Sequence, residues 1–237
     1  MFVIGKFAPN ERPLVTDFKK ACLRAIQKLI ICSNPACKRV YPYNLNKVCP
    51  FCNRQTENVV IAGESAGGYY ITFVSHCLSH PEVLEKLGIE FRNADKIKIK
   101  ALVSHCGCFN LRSLVDEKKE QSKFPDIRLM TSTFIGKNLE ETRKFLDTEE
   151  GKLAIPVFDS SFPPSFLIWA TKDYLRYETF DLSEELTKLG VTHKTYKADG
   201  KIAAHAWSIA TIFKESKDCL KETIDFVLPY LPGYFTK

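Results

Sequence analysis

Two periods of apolar residues alternate along this chain. "NVVIAG" from Asn58, "KIKALVSH" from Lys98 and "SFLIWA" from Ser165 are short, largely unbroken apolar runs, the pattern of strands buried on both faces of a parallel sheet. "THKTYKA" from Thr192 reads as a further strand. Helical spacing fills the intervals. In "PLVTDFKKACLRAIQKLI", Val15, Phe18, Ala21, Cys22, Ala25, Ile26 and Leu29 share one helical face. Residues 66 to about 77, "TFDLSEELTKLG" closed by Gly190, and "SKDCLKETIDFVLPYL" read as further helices. Strands alternating with helices predict an α/β fold, a mostly parallel sheet with helices on both faces. Residues 110–160 are charged and interrupted, and are expected to form a cap-like insertion between a strand and the next crossover.

With 237 residues and 45% hydrophobic content, residues 1–237 are expected to form one main domain. The net charge of +6 is spread along the chain without a block of like charges, so no nucleic-acid partner is expected. No apolar run reaches the length of a membrane span, and "MFVIGKFAPNERP" lacks the layout of a signal peptide, which predicts a cytoplasmic protein. Nine cysteines, an odd number, then favour metal ligands and buried thiols over a disulfide framework. Cys32, Cys37, Cys49 and Cys52 form a C-x4-C-x11-C-x2-C pattern within residues 32–54. Two short-spaced pairs of this kind build a closed tetrahedral four-thiolate site, so a structural zinc ion in a ribbon-like insertion is expected, with no open position for catalysis.

In "VVIAGESAGGYYITF" a serine stands between glycines, after a predicted strand and before a predicted helix. Gly63-Glu64-Ser65-Ala66-Gly67 fits G-x-S-x-G, in which a nucleophilic serine sits on a strained strand-to-helix turn. The Ala66 N–H, at the positive end of the helix, faces any developing oxyanion. Asp173 follows the strand "SFLIWA", and His205 lies in the loop after the last strand, so acid and base come in the order Ser, Asp, His. Asp181, inside a helix, and Asp199, in the turn "KADG", are weaker candidates for the acid. His105 ends a strand and reads as a core or loop histidine that could instead line the site, whereas His76, His80 and His193 read as surface or helix-end residues. Cys106 and Cys108 are expected to pack as small apolar groups.

"GESAGG", "PPSFLIWATKDYLRYE", "HAW" and "FAPNERPLVTDFKKACLRAI" together resemble the hormone-sensitive-lipase-like branch of the α/β hydrolases. The matching segments there read G-[DE]-S-A-G-G, P-P-x-strand-D-x-L-x-x-E, H-[GA]-[FW] and Y-x-L-A-P-E-x-P. The resemblance implies Ser65 as acyl-accepting nucleophile, His205 as general base and acid, and Asp173 as the carboxylate that orients the imidazole. It also implies esters of short to medium acyl chains as substrates, with no catalytic cofactor. Other acyl hydrolases, such as amidases, peptidases or deacetylases, use the same triad.

Two departures from that family shape the expectation. Its H-G-G-G oxyanion loop has no counterpart here, which leaves Ala66 N–H as the donor the sequence supplies; loss of one such donor costs about 2.7–4 kcal/mol. The alignment of "FAPNERP" places the family's first three strands before Met1. The nucleophile strand then becomes a sheet edge that a second copy or an upstream polypeptide is expected to cover. A catalytically weak hydrolase body acting as scaffold for the ribbon is the alternative function.

Overall fold

The computed structural model describes residues 29–31, 40–42, 58–89, 97–116, 126–200, 203–209 and 213–230. Strands β1 (Leu29–Ile31) and β2 (Val40–Pro42) form an antiparallel pair with Ile30 opposite Tyr41. Four parallel strands make the main sheet in the order β3 (Asn58–Glu64), β4 (Lys98–His105), β5 (Ser165–Ala170) and β6 (His193–Ala198). Helix α1 (Ala66–Ser79) leaves β3 through Ser65, and α2 (Pro81–Lys86) follows, with Pro81 in its first turn where the missing N–H is not needed. Between β4 and β5 the described residues form four short helices, α3 (Leu111–Leu114), α4 (Ile127–Ile135), α5 (Leu139–Leu146) and α6 (Glu149–Lys152). Helix α7 (Arg176–Lys188) connects β5 to β6, and α8 (Lys214–Val227) follows β6.

The parallel order follows from the apolar runs, because successive residues must find apolar cover on opposite faces. Leu102 of β4 and Leu167 of β5 pack with Ile71 of α1 and with Leu182 and Leu186 of α7. Their neighbours Val103, Phe166 and Ile168 pack on the other face with Cys219 and Val227 of α8. A further core joins α1 to the helices between β4 and β5 through Tyr69, Phe73, Leu111, Ile135 and Leu146. Those short helices are stopped and started by local chemistry. Asn138 and Glu141 form a reciprocal capping box on α5, and Gly136 ends α4 in the left-handed conformation at φ 80°.

One sequence expectation changes. Leu29 belongs to β1 and not to the helical face predicted for it, since its backbone pairs with Pro42 across a hairpin that helical periodicity cannot reveal. Of the two places expected for His76 it takes the helix end, in the last turn of α1, and is buried there. Burial, followed by the neighbouring His80, lowers its basicity. Among the described residues β3 pairs on one side only, with β4, and Val60, Ile61 and Ala62 are half-buried where β5 is almost wholly covered. Cys32, Cys37, Cys49 and Cys52 lie outside the described residues. No described helix is long and apolar enough to cross a membrane.

His105, at the end of β4, has a buried ring whose Nδ1 lies 2.9 Å from Ser208 Oγ. Burial lowers its pKa from 6.5 to about 4. The unfolded chain therefore binds this proton at a higher pH than the folded chain does. The stability gained from a neutral His105 is complete above the unfolded value and drains away as pH falls through the folded one. Urea midpoints should accordingly fall between about pH 7 and about pH 4.5, and His105→Gln, which binds no proton, should lose roughly 2–3 kcal/mol less than the wild type across that interval. Equal slopes in the two proteins would exclude His105 as the group responsible.

Candidate active site

Ser65 occupies the turn between β3 and α1 with φ 54° and ψ −121°, a region that costs a non-glycine residue about 1–3 kcal/mol. Backbone contacts hold it there. Its N–H donates to His105 O at 3.0 Å, and its carbonyl accepts from Gly68 N–H at 2.9 Å and Cys108 N–H at 3.2 Å. The turn closes only because its flanks are small: a Cβ on Gly63 would lie 2.2 Å from Gly67 O, and one on Gly68 would lie 2.7 Å from the Cα of Gly107. Ala66 opens α1 and is exposed, and no acidic residue in the first turn offsets the helix dipole.

Two other strand ends bring in the partners. Asp173 follows β5, has no exposed surface, and accepts the Leu175 N–H on Oδ1 at 3.0 Å. His205 lies in the loop after β6. Its Nδ1 is 2.8 Å from Asp173 Oδ1 and its Nε2 is 2.9 Å from Ser65 Oγ. With Asp173 ionised, Nδ1 carries the hydrogen and Nε2 is the acceptor facing the Ser65 hydroxyl. A proton can pass from hydroxyl to imidazole while the carboxylate balances the charge.

The weaker acids stand elsewhere: Asp181 is exposed on α7, and Asp199 pairs with Lys197 at 3.0 Å. His80 sits at the end of α1 and bridges to Asp159 at 3.0 Å, while His193 contacts Ser183 Oγ at 3.0 Å. The His105 ring turns to Ser208, so this residue serves the site through its carbonyl, which fixes Ser65.

Cys106 and Cys108 are buried free thiols, but Cys106 has a more particular setting than simple packing. Its Sγ, the Asp173 carboxylate and a His205 ring nitrogen lie within 4.8 Å of one another. Burial and the Asp173 charge push the thiol far up, so it keeps its hydrogen, and the His205 nitrogens are already engaged with Asp173 and Ser65. The group is poorly suited to holding a metal ion.

Three further residues acquire places that the motifs did not suggest. Burial raises the Glu64 carboxyl to about 7, with His205 opposing and Asp173 adding to the shift. The Tyr174 ring stacks on the His205 ring at a centroid distance of 4.3 Å. Glu178, in the first turn of α7, accepts the Phe109 N–H at 3.1 Å and the Asn110 N–H at 3.0 Å on one oxygen and the Ser113 hydroxyl on the other. It thereby ties down the loop whose Cys108 N–H holds the Ser65 carbonyl. The only sequence signal for Glu178 was its place five residues after Asp173, at the E of D-x-L-x-x-E.

The chain matches the family described as the alpha/beta hydrolase fold over residues 40–207. No curated protein matches it. Among solved structures it is similar to esterase B from Lactobacillus rhamnosis, with 18% identity, 74% of this chain and 53% of that chain covered, and a TM-score of 0.57. The same enzyme in a tributyrin phosphonate inhibited form is also similar at 18% identity, covering 76% and 54% with a TM-score of 0.55. A fungal esterase from Rhizomucor miehei is similar at 18% identity, 77% and 54% coverage and a TM-score of 0.52. The likeness is one of fold. This chain spans about half the length of these structures.

Replacing Glu178 by Ala strips a buried backbone N–H, that of Phe109, and a half-buried one, that of Asn110, of their acceptor, each worth about 1–3 kcal/mol. Urea unfolding of Glu178→Ala should show a loss of about 2–5 kcal/mol, and Glu178→Gln, which keeps an acceptor oxygen, should lose clearly less. Equal losses would mean that charge and not hydrogen bonding holds the loop.

Proposed function

The chain belongs to the alpha/beta hydrolase fold family, and from that membership we propose that it is a serine hydrolase cleaving carboxylic esters of short to medium acyl chains. The observation that carries this reading is the continuous series Asp173, His205, Ser65, with contacts of 2.8 Å and 2.9 Å. The short-acyl preference rests on the motif resemblance, and on the fact that a fold relative was captured with a tributyrin phosphonate inhibitor.

In the proposed reaction Ser65 Oγ attacks the ester carbonyl as His205 Nε2 takes its proton. The oxyanion accepts from the Ala66 N–H and is favoured by the N-terminal end of α1. Collapse expels the alcohol, which receives the proton from His205, and water then cleaves the acyl-enzyme by the same route in reverse. No cofactor takes part. Ala66 is a single donor, so a second group is needed to bring the oxyanion site to full strength. We propose that its source lies along the side of β3 that has no strand partner among the described residues, where a second copy or an upstream polypeptide would add a strand.

Fluorophosphonate labelling of purified protein tests the reading directly. Label should map to Ser65 alone, Ser65→Ala should abolish it, and His205→Ala should reduce it by about 100-fold or more. Asp181→Asn should leave it unchanged. Label persisting in Ser65→Ala would refute the assignment.

The proposed cysteine site is separate and structural. One zinc per chain should be found by elemental analysis, and Cys49→Ser should lose both the metal and several degrees of melting temperature, since metal binding contributes to folding free energy. A fully folded, metal-free wild-type chain would refute it.

A further inference from the structure

We propose that Tyr174 is a positioning residue for the base: its ring face fixes the tilt of the His205 imidazole and stabilises the ring while it carries the Ser65 proton. This rests on the serine-hydrolase reading, but its physical basis is separate.

The two hydrogen bonds of His205 lie in the plane of its ring, through Nδ1 to Asp173 and through Nε2 to Ser65. They leave one motion weakly restrained, a rocking of the ring about the line joining its two nitrogens. A flat surface against the ring face opposes that motion. Tyr174 supplies one, with centroids 4.3 Å apart and planes inclined by 30°. Because Tyr174 directly follows Asp173, the turn that buries the acid also delivers the aromatic face. The ring cannot drift far, since Tyr174 packs against the core that contains Leu175 and Cys108.

The same contact has an electrostatic consequence. An aromatic face carries negative charge density and attracts a cation placed over it, typically by about 0.5–2 kcal/mol. Neutral imidazole gains little and imidazolium gains the full amount, so the contact is strongest in the state that develops during attack. Among the described residues, the charged and titratable groups around these two rings include Asp173 after β5, Glu64 at the end of β3, Cys106 and Cys108 beyond β4, and Arg176, whose guanidinium donates to the Asp173 carbonyl at 3.0 Å. The Cys106 thiol keeps its hydrogen, and the Tyr174 phenol is pushed upward by burial and by Asp173. The ring facing His205 is therefore a neutral phenol through the working pH range, and phenylalanine should replace it.

The test compares wild type, Tyr174→Phe, Tyr174→Leu and a variant with 4-cyanophenylalanine at this position, whose ring keeps its shape but has a depleted face. The rate of Ser65 labelling by a fluorophosphonate is followed between about pH 5 and about pH 9. Tyr174→Phe should match the wild type within about twofold. Tyr174→Leu should label about 2- to 30-fold more slowly, with the acid limb moved to lower pH by about half a unit to one and a half units. The cyano variant should move the limb in the same direction, and it remains informative if the leucine variant does not fold. An acid limb unmoved in both variants, or moved to higher pH, would overturn the proposal even if rates fell, because lost packing admits water to the imidazole and raises its proton affinity, whereas loss of the aromatic face lowers it. If the wild type takes no label, the hydrolase reading fails by itself. The pH midpoint of the His205 ring resonance, compared by NMR in wild type and the cyano variant, then decides the Tyr174 contact. A shift to lower pH supports it, and coincident midpoints overturn it.

Discussion

Ser65 is held in a backbone conformation that a free chain avoids, and the organisation of the surrounding strand ends follows from the need to hold it there. Its positive φ is stabilised by one donated and two accepted backbone hydrogen bonds, two of these three reaching the end of β4 and the loop beyond it. Each is worth about 0.5–1.5 kcal/mol net, so together they match the strain of about 1–3 kcal/mol. The balance depends on distance. Gly68 and Gly107 let α1 approach the loop after β4 closely, and a single methyl between them would push the Cys108 N–H away from the Ser65 carbonyl. Glu178 secures the far side of that loop from α7.

The remaining parts of the site follow from the direction of the sheet. In a parallel sheet all strands point the same way, so the ends of β3, β4, β5 and β6 lie along one rim and the loops that leave them can meet. Ser65 and Glu64 come from the first, Cys106 from the second, Asp173 and Tyr174 from the third and His205 from the fourth. No single local segment contains the site. The contact between Ser65 and His205 spans 140 residues and exists only when the whole sheet is in register.

What could be read from the sequence follows the same division between local and long-range causes. The strands β3, β4 and β5 were legible because each contains a short apolar run, and "KIKALVSH" and "SFLIWA" coincide with β4 and β5 residue for residue. The turn at Ser65 was legible because its glycines are a local steric requirement. Leu29 was misread because a three-residue strand is defined by its partner, Val40–Pro42, which periodicity does not see. Tyr174 and Cys106 act across loops, and their residue types carry no signature until the fold brings an imidazole or a carboxylate against them; Glu178 stood in a motif, but its task of holding backbone N–H groups appears only in the fold.

The grouping of charges at this rim makes proton binding a shared property. Glu64 is raised to about 7 mainly because burial disfavours its charge and Asp173 repels it, while His205 pulls the other way. An imidazole that takes up a proton becomes a positive charge beside Glu64 and makes ionisation of that carboxyl easier. Conversely, an ionised Glu64 makes the imidazole a better proton acceptor. Each group therefore biases the charge on the other. Above about 7 an ionised Glu64 adds a negative charge near His205, which favours an imidazolium and, in the proposed reaction, would oppose an oxyanion forming at Ser65. In the proposed reaction a neutral Glu64 would leave charge separation between His205 and the oxyanion to Asp173, the Ala66 end of α1 and the proposed Tyr174 contact. The glutamate between Gly63 and Ser65 is where pH would enter that balance.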